Sequence, residues 1–323
     1  MYDVVVIGGG AAGLGGAVAL ARSRRSVLVV DAGELRNAPA DGVHNYLGRE
    51  GLNPLELVAI GREELAGYGG EVLQARVTDA LAVGNGFEVT LENGDRVDAR
   101  RLLVATGLRD ELPAVEGLAE RWGKDVIHCP YCHGYEHRDQ AIGVLASNPM
   151  VMHQALMFRQ LSDDVVVFQH TVPSLGDEAL EQCAALGIRV VEGEVAGLEI
   201  SVPQPRGGRE VPPAGVAGVR LASGEVVPRQ VVVVAPRFTA RTEGLKGLGL
   251  EVVEQEVGGV VLGTSVKADP NGLTGTPGVW VAGNVASMSA QVMVSAGQGL
   301  MAGAQINFDL IQEDVRRAVA AAR

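Results

Sequence analysis

The sequence predicts an α/β fold in which one α/β domain is inserted into another. Three observations carry that prediction. The chain opens with strand, Gly-rich turn, helix and strand; a second alternation of strands and helices begins near residue 141; and after Pro236 the pattern changes again to Gly/Val-rich strands. A chain of 323 residues is long for one core and comfortable for two.

The first unit reads as βαβ: strand Tyr2 to Ile7, turn Gly8 to Gly13, helix Leu14 to Ser23 and strand Ser26 to Asp31. A polar, Pro-containing stretch from Asn37 to Asn53 precedes a helix that runs to about Gly67. Strands are expected at Glu71 to Ala75, Phe87 to Leu91 and Val97 to Val104, punctuated by Gly and Asn. Pro113 and Gly117 mark a linker, so a boundary is expected near residue 113. The second unit predicts strand Ala141 to Ala146, helix Met150 to Leu161, strand Asp164 to Gln169, helix Asp177 to Leu186 and strand Arg189 to Glu192. A hairpin-rich region from Val195 to Val227, interrupted by the loop Pro203 to Pro213, leads to a strand at Gln230 to Ala235. A strand at Val279 to Ala282 and a helical block from Ser295 to Arg323 complete the pattern. The expected division is 1–113 with 236–323 for one domain and 114–235 for the other.

A formal charge of −12, with no concentrated basic run, argues against a nucleic-acid partner, because nothing neutralises a row of phosphates. No run of 18 apolar residues is present, and the strand at Val4 to Ile7 lacks a basic flank and a cleavage site. A soluble, cytoplasmic protein with no membrane partner is the expectation. Three cysteines are too few for a secreted disulfide scaffold, and two of them form C-x-x-C. Cys183, in a helical run, is expected to pack rather than react.

Gly8-Gly9-Gly10-Ala11-Ala12-Gly13 is G-x-G-x-x-G placed directly between a strand and a helix. Gly8 permits the tight turn, Gly10 admits a pyrophosphate against the backbone, and Gly13 lets helix and strand pack closely. The helix N-terminus, with Ala11 and Ala12 in its first turn, offers N–H groups and positive dipole to the anion. Asp31 ends the next strand, where a carboxylate accepts from a ribose hydroxyl and disfavours a 2′-phosphate. The loop alone leaves FAD and NAD open. Ala105-Thr106-Gly107 and Val281-Ala282-Gly283-Asn284 each end a predicted strand in small residues, as close passage of a cofactor over backbone requires.

His128-Cys129-Pro130-Tyr131-Cys132-His133 is the second chemical signal. Thiols separated by two residues close a small disulfide ring and pass two electrons to an acceptor touching one sulfur. His133, and after it His137, is placed to take or return a thiol proton near neutral pH. A zinc site and a purely structural pair are the alternatives; a zinc site normally draws on a second ligand pair, and no other Cys is near.

With these motifs the chain resembles the low-molecular-weight thioredoxin reductase family of FAD-dependent disulfide oxidoreductases. The resemblance covers nearly the whole chain and rests on Gly8 to Gly13, Ala105-Thr106-Gly107, the C-x-x-C, and Ala282-Gly283-Asn284-Val285 followed by Ser295-Ala296-Gly297. It implies two Rossmann-like, three-layer β/β/α domains, FAD as cofactor, a homodimer, and a cofactor-binding set that extends to Gln291 and Val292. It also implies that Cys132 lies against the flavin while Cys129 forms the mixed disulfide with substrate.

The departures from the family matter as much. Where its second nucleotide loop would stand, the sequence reads Ala146-Ser147-Asn148-Pro149-Met150-Val151, and Phe168-Gln169-His170-Thr171-Val172-Pro173 replaces the basic cluster for a 2′-phosphate. The acid after the second cysteine is replaced by His133-Gly134, and the family's Gly-Asp is Gly283-Asn284. Together with Cys-Pro-Tyr-Cys-His-Gly-Tyr-Glu these resemble the dithiol oxidase branch of gliotoxin and holomycin type, in which a substrate dithiol is closed to a disulfide and oxygen takes the electrons. The expectation is therefore an enzyme oxidising a small-molecule dithiol without NADPH, with Cys129, Cys132 and His133 catalytic and no metal. The alternatives are a reductase for a thioredoxin-like protein, fed by NADPH or by another donor such as ferredoxin, and a flavin-bound redox sensor without turnover.

Overall fold

The computed structural model describes residues 1–148, 150–201 and 214–323. Pro149 and the loop Pro203 to Pro213, both singled out in the sequence, lie outside the described residues. The chain begins with β1 (Tyr2–Ile7), α1 (Ala11–Arg22), β2 (Val27–Asp31), α2 (Pro54–Gly67), β3 (Glu71–Gln74), β4 (Val77–Val83), β5 (Gly86–Leu91) and β6 (Arg96–Val104). It continues with β7 (Leu108–Glu111), α3 (Leu118–Arg121), β8 (Val126–Ile127), β9 (Ile142–Leu145), α4 (Val151–Arg159), β10 (Val165–Phe168), α5 (Asp177–Leu186) and β11 (Arg189–Val191). β12 (Val195–Ser201), β13 (Gly215–Leu221), β14 (Val226–Pro228), β15 (Val231–Val234) and β16 (Arg237–Ala240) follow. β17 (Val252–Val257), β18 (Val260–Val266), β19 (Val279–Val281) and α6 (Val292–Ala321) end it.

The strands form four sheets. β3-β2-β1-β6-β5-β4 make the first, with β19 from the far end of the sequence paired parallel to β6. A wholly parallel sheet, β11-β10-β9-β15-β8, forms the second. β12-β13-β14 and β17-β18-β16-β7 are smaller. The chain therefore leaves the first sheet after β6, builds the second, and returns at β19. Its outward strand β7 and inward strand β16 pair antiparallel, Leu108 opposite Ala240 and Glu111 opposite Arg237.

Both large sheets are buried on two faces, which is why their central strands read as unbroken Val, Ile and Leu. Val5, Leu102, Val104 and Val281 fill one side of the first sheet, and Val4, Val6, Leu103 and Trp280 pack under α1 and α6 on the other. α1 and α6 approach closely because Gly299 has no side chain: a Cβ there would stand 1.9 Å from the carbonyl oxygen of Ala12. Ile142, Val144, Phe158, Val165 and Val233 fill one face of the second sheet; Leu145, Phe168, Val219 and Val232 fill the other. Cys183 sits here, 2% exposed with its sulfur 3.7 Å from that of Met152, and burial raises its pKa, so it packs as expected.

Several expected boundaries shift. α1 starts at Ala11 rather than Leu14, because the last three residues of the glycine motif already form its first turn. β4 pairs antiparallel with β5 although its half-exposed sequence Val77–Val83 carries no strict alternation. β7 occupies a segment that composition marks as approach to a linker, and tertiary pairing with β16 makes it a strand. α6 begins three residues before Ser295.

Candidate active site

One cavity of about 1780 Å³ runs between the first sheet and the second. It is lined by Gly8, Gly10, Ala11, Ala12 and Asp31 and also by Cys129, Cys132 and His133. Ala105, Thr106, Gly107, Gly283, Asn284, Gln291 and Val292 line it as well, whereas Gly13 does not. Residues separated by more than 280 positions in sequence thus face a single volume.

The glycine loop is shaped by close backbone contacts. Gly8 adopts φ +106°, and a Cβ there would come within 2.4 Å of the Ala105 oxygen; at Gly13 it would come within 1.9 Å of the Gly8 oxygen. Gly10 differs: a Cβ would meet only Leu35, at 3.8 Å, so its bare backbone faces the cavity. No side chain caps the N-terminus of α1, which leaves its first N–H groups for an anion. Asp31 is already engaged, one oxygen accepting from the Gly9 N–H at 3.1 Å and the other from Arg62 at 2.6 Å. A carboxylate retains further lone pairs for a ribose hydroxyl.

Asn284 and Arg36 organise the middle. The Asn284 amide donates to the carbonyls of Ser287, Met288 and Ala290 at 3.0, 3.4 and 2.9 Å, folding the loop that leads to Gln291. A carboxylate at this position has no proton to give these three oxygens. The Arg36 guanidinium donates to Asn284 at 3.2 Å, grips Asp110 through two bonds of 2.8 and 2.6 Å, and lies 5.5 Å over the Phe238 ring. Phe238 in turn meets the His128 ring edge-on at 5.1 Å. Arg36, Arg62, Asp110 and Phe238 were missed in the sequence, since single charges and an aromatic in polar stretches carry no periodic signal.

Cys129 stands at the start of a short π-helical turn, Pro130–Gly134, with its sulfur 2.7 Å from that of Cys132. The hydrogen bond from Cys132 lowers the Cys129 pKa to about 7 against the opposing effect of burial, helped by the backbone N–H groups of Cys132 and Tyr131 and by Arg36. The same bond, with burial, pushes Cys132 far above the usual thiol range. In the reduced pair Cys129 thus carries the charge and Cys132 keeps the proton. His133 is half-buried, its ring nitrogens are enclosed with neither hydrogen-bonded among the described residues, and burial lowers its pKa. It is neutral at pH 7, and both ring nitrogens are enclosed without a partner beside the cavity that the residue lines. His137 is instead spent on Gln140 and the Lys124 carbonyl, so it takes no part.

The expected second nucleotide place is differently furnished. The Asn148 side chain accepts from the Met150 N–H at 2.8 Å, ahead of α4, and Ser147 donates to the Ala235 carbonyl at 3.1 Å. His170, at φ +47°, takes the Val195 N–H at 3.0 Å. None of these groups is a cation aimed at a phosphate. No cluster of three or more His, Cys, Asp or Glu among the described residues is arranged to hold a metal. None of the described helices is long and apolar enough to cross a membrane.

A glycine loop and a thiol pair facing one cavity in an α/β fold are the marks of an oxidoreductase enzyme. The chain belongs to the pyridine nucleotide-disulphide oxidoreductase family, whose model matches residues 2–299. Within it the chain is thioredoxin reductase-like. The crystal structure of HlmI superposes with a TM-score of 0.88 at 43% identity, covering 99% of this chain and 96% of HlmI. Thioredoxin reductase sirT of Leptosphaeria maculans is 28% identical over 98% of this chain and 96% of its own length. Thioredoxin reductase tcpT of Claviceps purpurea (strain 20.1) is 36% identical over 55% of this chain, and the match spans 58% of that relative.

Proposed function

We propose that the protein is an FAD-dependent dithiol oxidase that closes a small-molecule dithiol to its disulfide. The observation that carries this is the single cavity holding both the glycine loop and Cys129 with Cys132, beside a second nucleotide place furnished without glycines or cations. The open backbone at Gly10 and the uncapped α1 N-terminus fit FAD. Gly8, Gly13, Asp31, Ala105, Thr106, Gly107, Gly283, Asn284, Gln291 and Val292 would complete its site. Bound there, FAD supplies a two-electron acceptor that oxygen reoxidises, so that one dithiol and one O₂ give one disulfide and one H₂O₂.

A substrate thiolate attacks the Cys129 sulfur of the oxidised pair, and Cys132 leaves. The second substrate thiolate then attacks the mixed disulfide, and Cys129 departs. The low pKa of Cys129 makes it a good leaving group at this step. His133, neutral and unpaired, accepts a substrate thiol proton. Two domains, 1–113 with 236–323 and 114–235, belong to this reading and agree with the division of the sheets. A cytoplasmic location and a homodimer belong to the same reading, and for the homodimer α6 exposes Met293, Leu300, Met301, Phe308, Ile311 and Val315 along its length, an apolar stripe suited to a second copy.

The test is oxygen uptake by the purified yellow protein with dithiothreitol, set beside anaerobic mixing with NADPH. Oxygen consumption with dithiol and no flavin bleaching with NADPH are expected. Rapid bleaching by micromolar NADPH makes the protein a reductase for a thioredoxin-like partner instead. Reversible disulfide formation without turnover on any dithiol makes it a redox sensor.

A further inference from the structure

The loop between β2 and α2 reaches across to the redox pair. Asn45 donates its side-chain N–H to the Tyr131 carbonyl at 2.6 Å. It does so from a left-handed conformation, φ +59°, which costs a non-glycine residue energy unless its surroundings hold it there. Glu50 provides that hold: one carboxylate oxygen accepts from the Asn45 backbone N–H at 3.0 Å and the other meets His44 Nδ1 at 2.6 Å. His44 Nε2 lies 3.5 Å from Glu136, just beyond the π-helical turn. The contact is therefore built from both sides.

Tyr131 is one of the two residues between the cysteines, and its carbonyl belongs to the same rigid peptide group as the N–H of Cys132. That N–H points back at Cys129, 3.3 Å from its carbonyl oxygen. We propose that Asn45 is a positioning residue for the redox pair: by holding the carbonyl edge of the Tyr131–Cys132 peptide, it keeps the N–H edge turned toward Cys129. A donor on the carbonyl also polarises the peptide, which strengthens the N–H at its other end. The charged and titratable groups around the pair are Arg36, Asp41, His44, His128, His133, Glu136 and His137, and the hydrogen bond to this peptide's carbonyl comes from none of them but from Asn45.

The proposal rests on Cys129 and Cys132 being the working pair, and its test is independent of any electron acceptor. Asn45→Gly keeps the left-handed backbone and removes the donor; Asn45→Asp tolerates that backbone and offers only acceptors. Iodoacetamide labelling of Cys129 in the reduced protein, followed by peptide mass spectrometry from pH 5 to 10, reads its thiolate directly. In both variants the labelling rate at pH 7 should fall by about three- to tenfold, the worth of one hydrogen bond to the thiolate's support, with an unchanged plateau at high pH. A wild-type profile in Asn45→Gly overturns the proposal, since only the backbone conformation would then matter. Melting curves and flavin content accompany each variant, and a shift confined to a variant that has lost its cooperative melt also overturns it. Wild-type protein inert to dithiols would end the oxidase reading and leave this measurement standing.

Discussion

Arg36 and Asp110 are joined by two hydrogen bonds of 2.8 and 2.6 Å, a forked pair that ties the loop after β2 to β7, the strand by which the chain crosses toward the second sheet. The Asp110 side chain is 8% exposed and that of Arg36 32%. Losing the guanidinium leaves a buried carboxylate unpaired, whereas losing both partners leaves none.

Arg36→Met should therefore destabilise the protein by about 2 kcal/mol, the usual penalty for breaking a buried pair reduced for Arg36's partial exposure. Arg36→Met combined with Asp110→Leu should recover part of that loss. Urea denaturation of the two variants checks this; additive losses in the double variant would show that the pair is not coupled.

Gly10 and Gly13 should respond differently to alanine. At Gly13 the new Cβ collides with backbone at 1.9 Å, so folding suffers; at Gly10 it meets only Leu35 at 3.8 Å, so the fold survives. Gly10→Ala is expected to melt as wild type without flavin while binding flavin roughly tenfold more weakly, ~1.4 kcal/mol. Full flavin content in Gly10→Ala would remove the loop from the cofactor site.

Serine at either cysteine should lower dithiol oxidation on the order of a thousandfold or more, because neither sulfur passes electrons alone. In the wild type, Cys129 labelling by iodoacetamide should rise with pH through about 7, the thiolate forming as the proton leaves. A midpoint near the ordinary thiol value of 9.0 would contradict the hydrogen-bonded pair.

His128 and His133 both have pKa values lowered chiefly by burial. The unfolded chain, with ordinary imidazoles near 6.5, binds protons first as pH falls, so folding stability is complete above that value and declines below it. The melting temperature should drop between pH 6.5 and pH 5. A melting temperature that rises over this interval would show that the two rings gain a counter-charge on protonation.

Local chemistry was legible along the chain. G-x-G-x-x-G between β1 and α1, the C-x-x-C, and the small residues closing β6 and β19 depend on neighbours a few positions away, so spacing alone revealed them. The inserted arrangement was legible for the same reason, as a change of strand and helix period. Pairing across distance was not: β7 became a strand only opposite β16, and β4 only opposite β5.

What the sequence by itself determined was the presence of a closely spaced thiol pair and the backbone freedom of the glycine loop. What only the tertiary structure decided was which thiol loses its proton first, which histidine is left unpaired, and that Asn45 holds the turn between the cysteines while Arg36 joins their surroundings to Asn284. The physical reason is that a pKa, a hydrogen bond and a shared cavity are properties of separation in space and of burial. Arg36 and Asn45 reach the site from a polar stretch with no local pattern to announce them, whereas Asn284 stood in a legible motif whose contacts only the fold revealed.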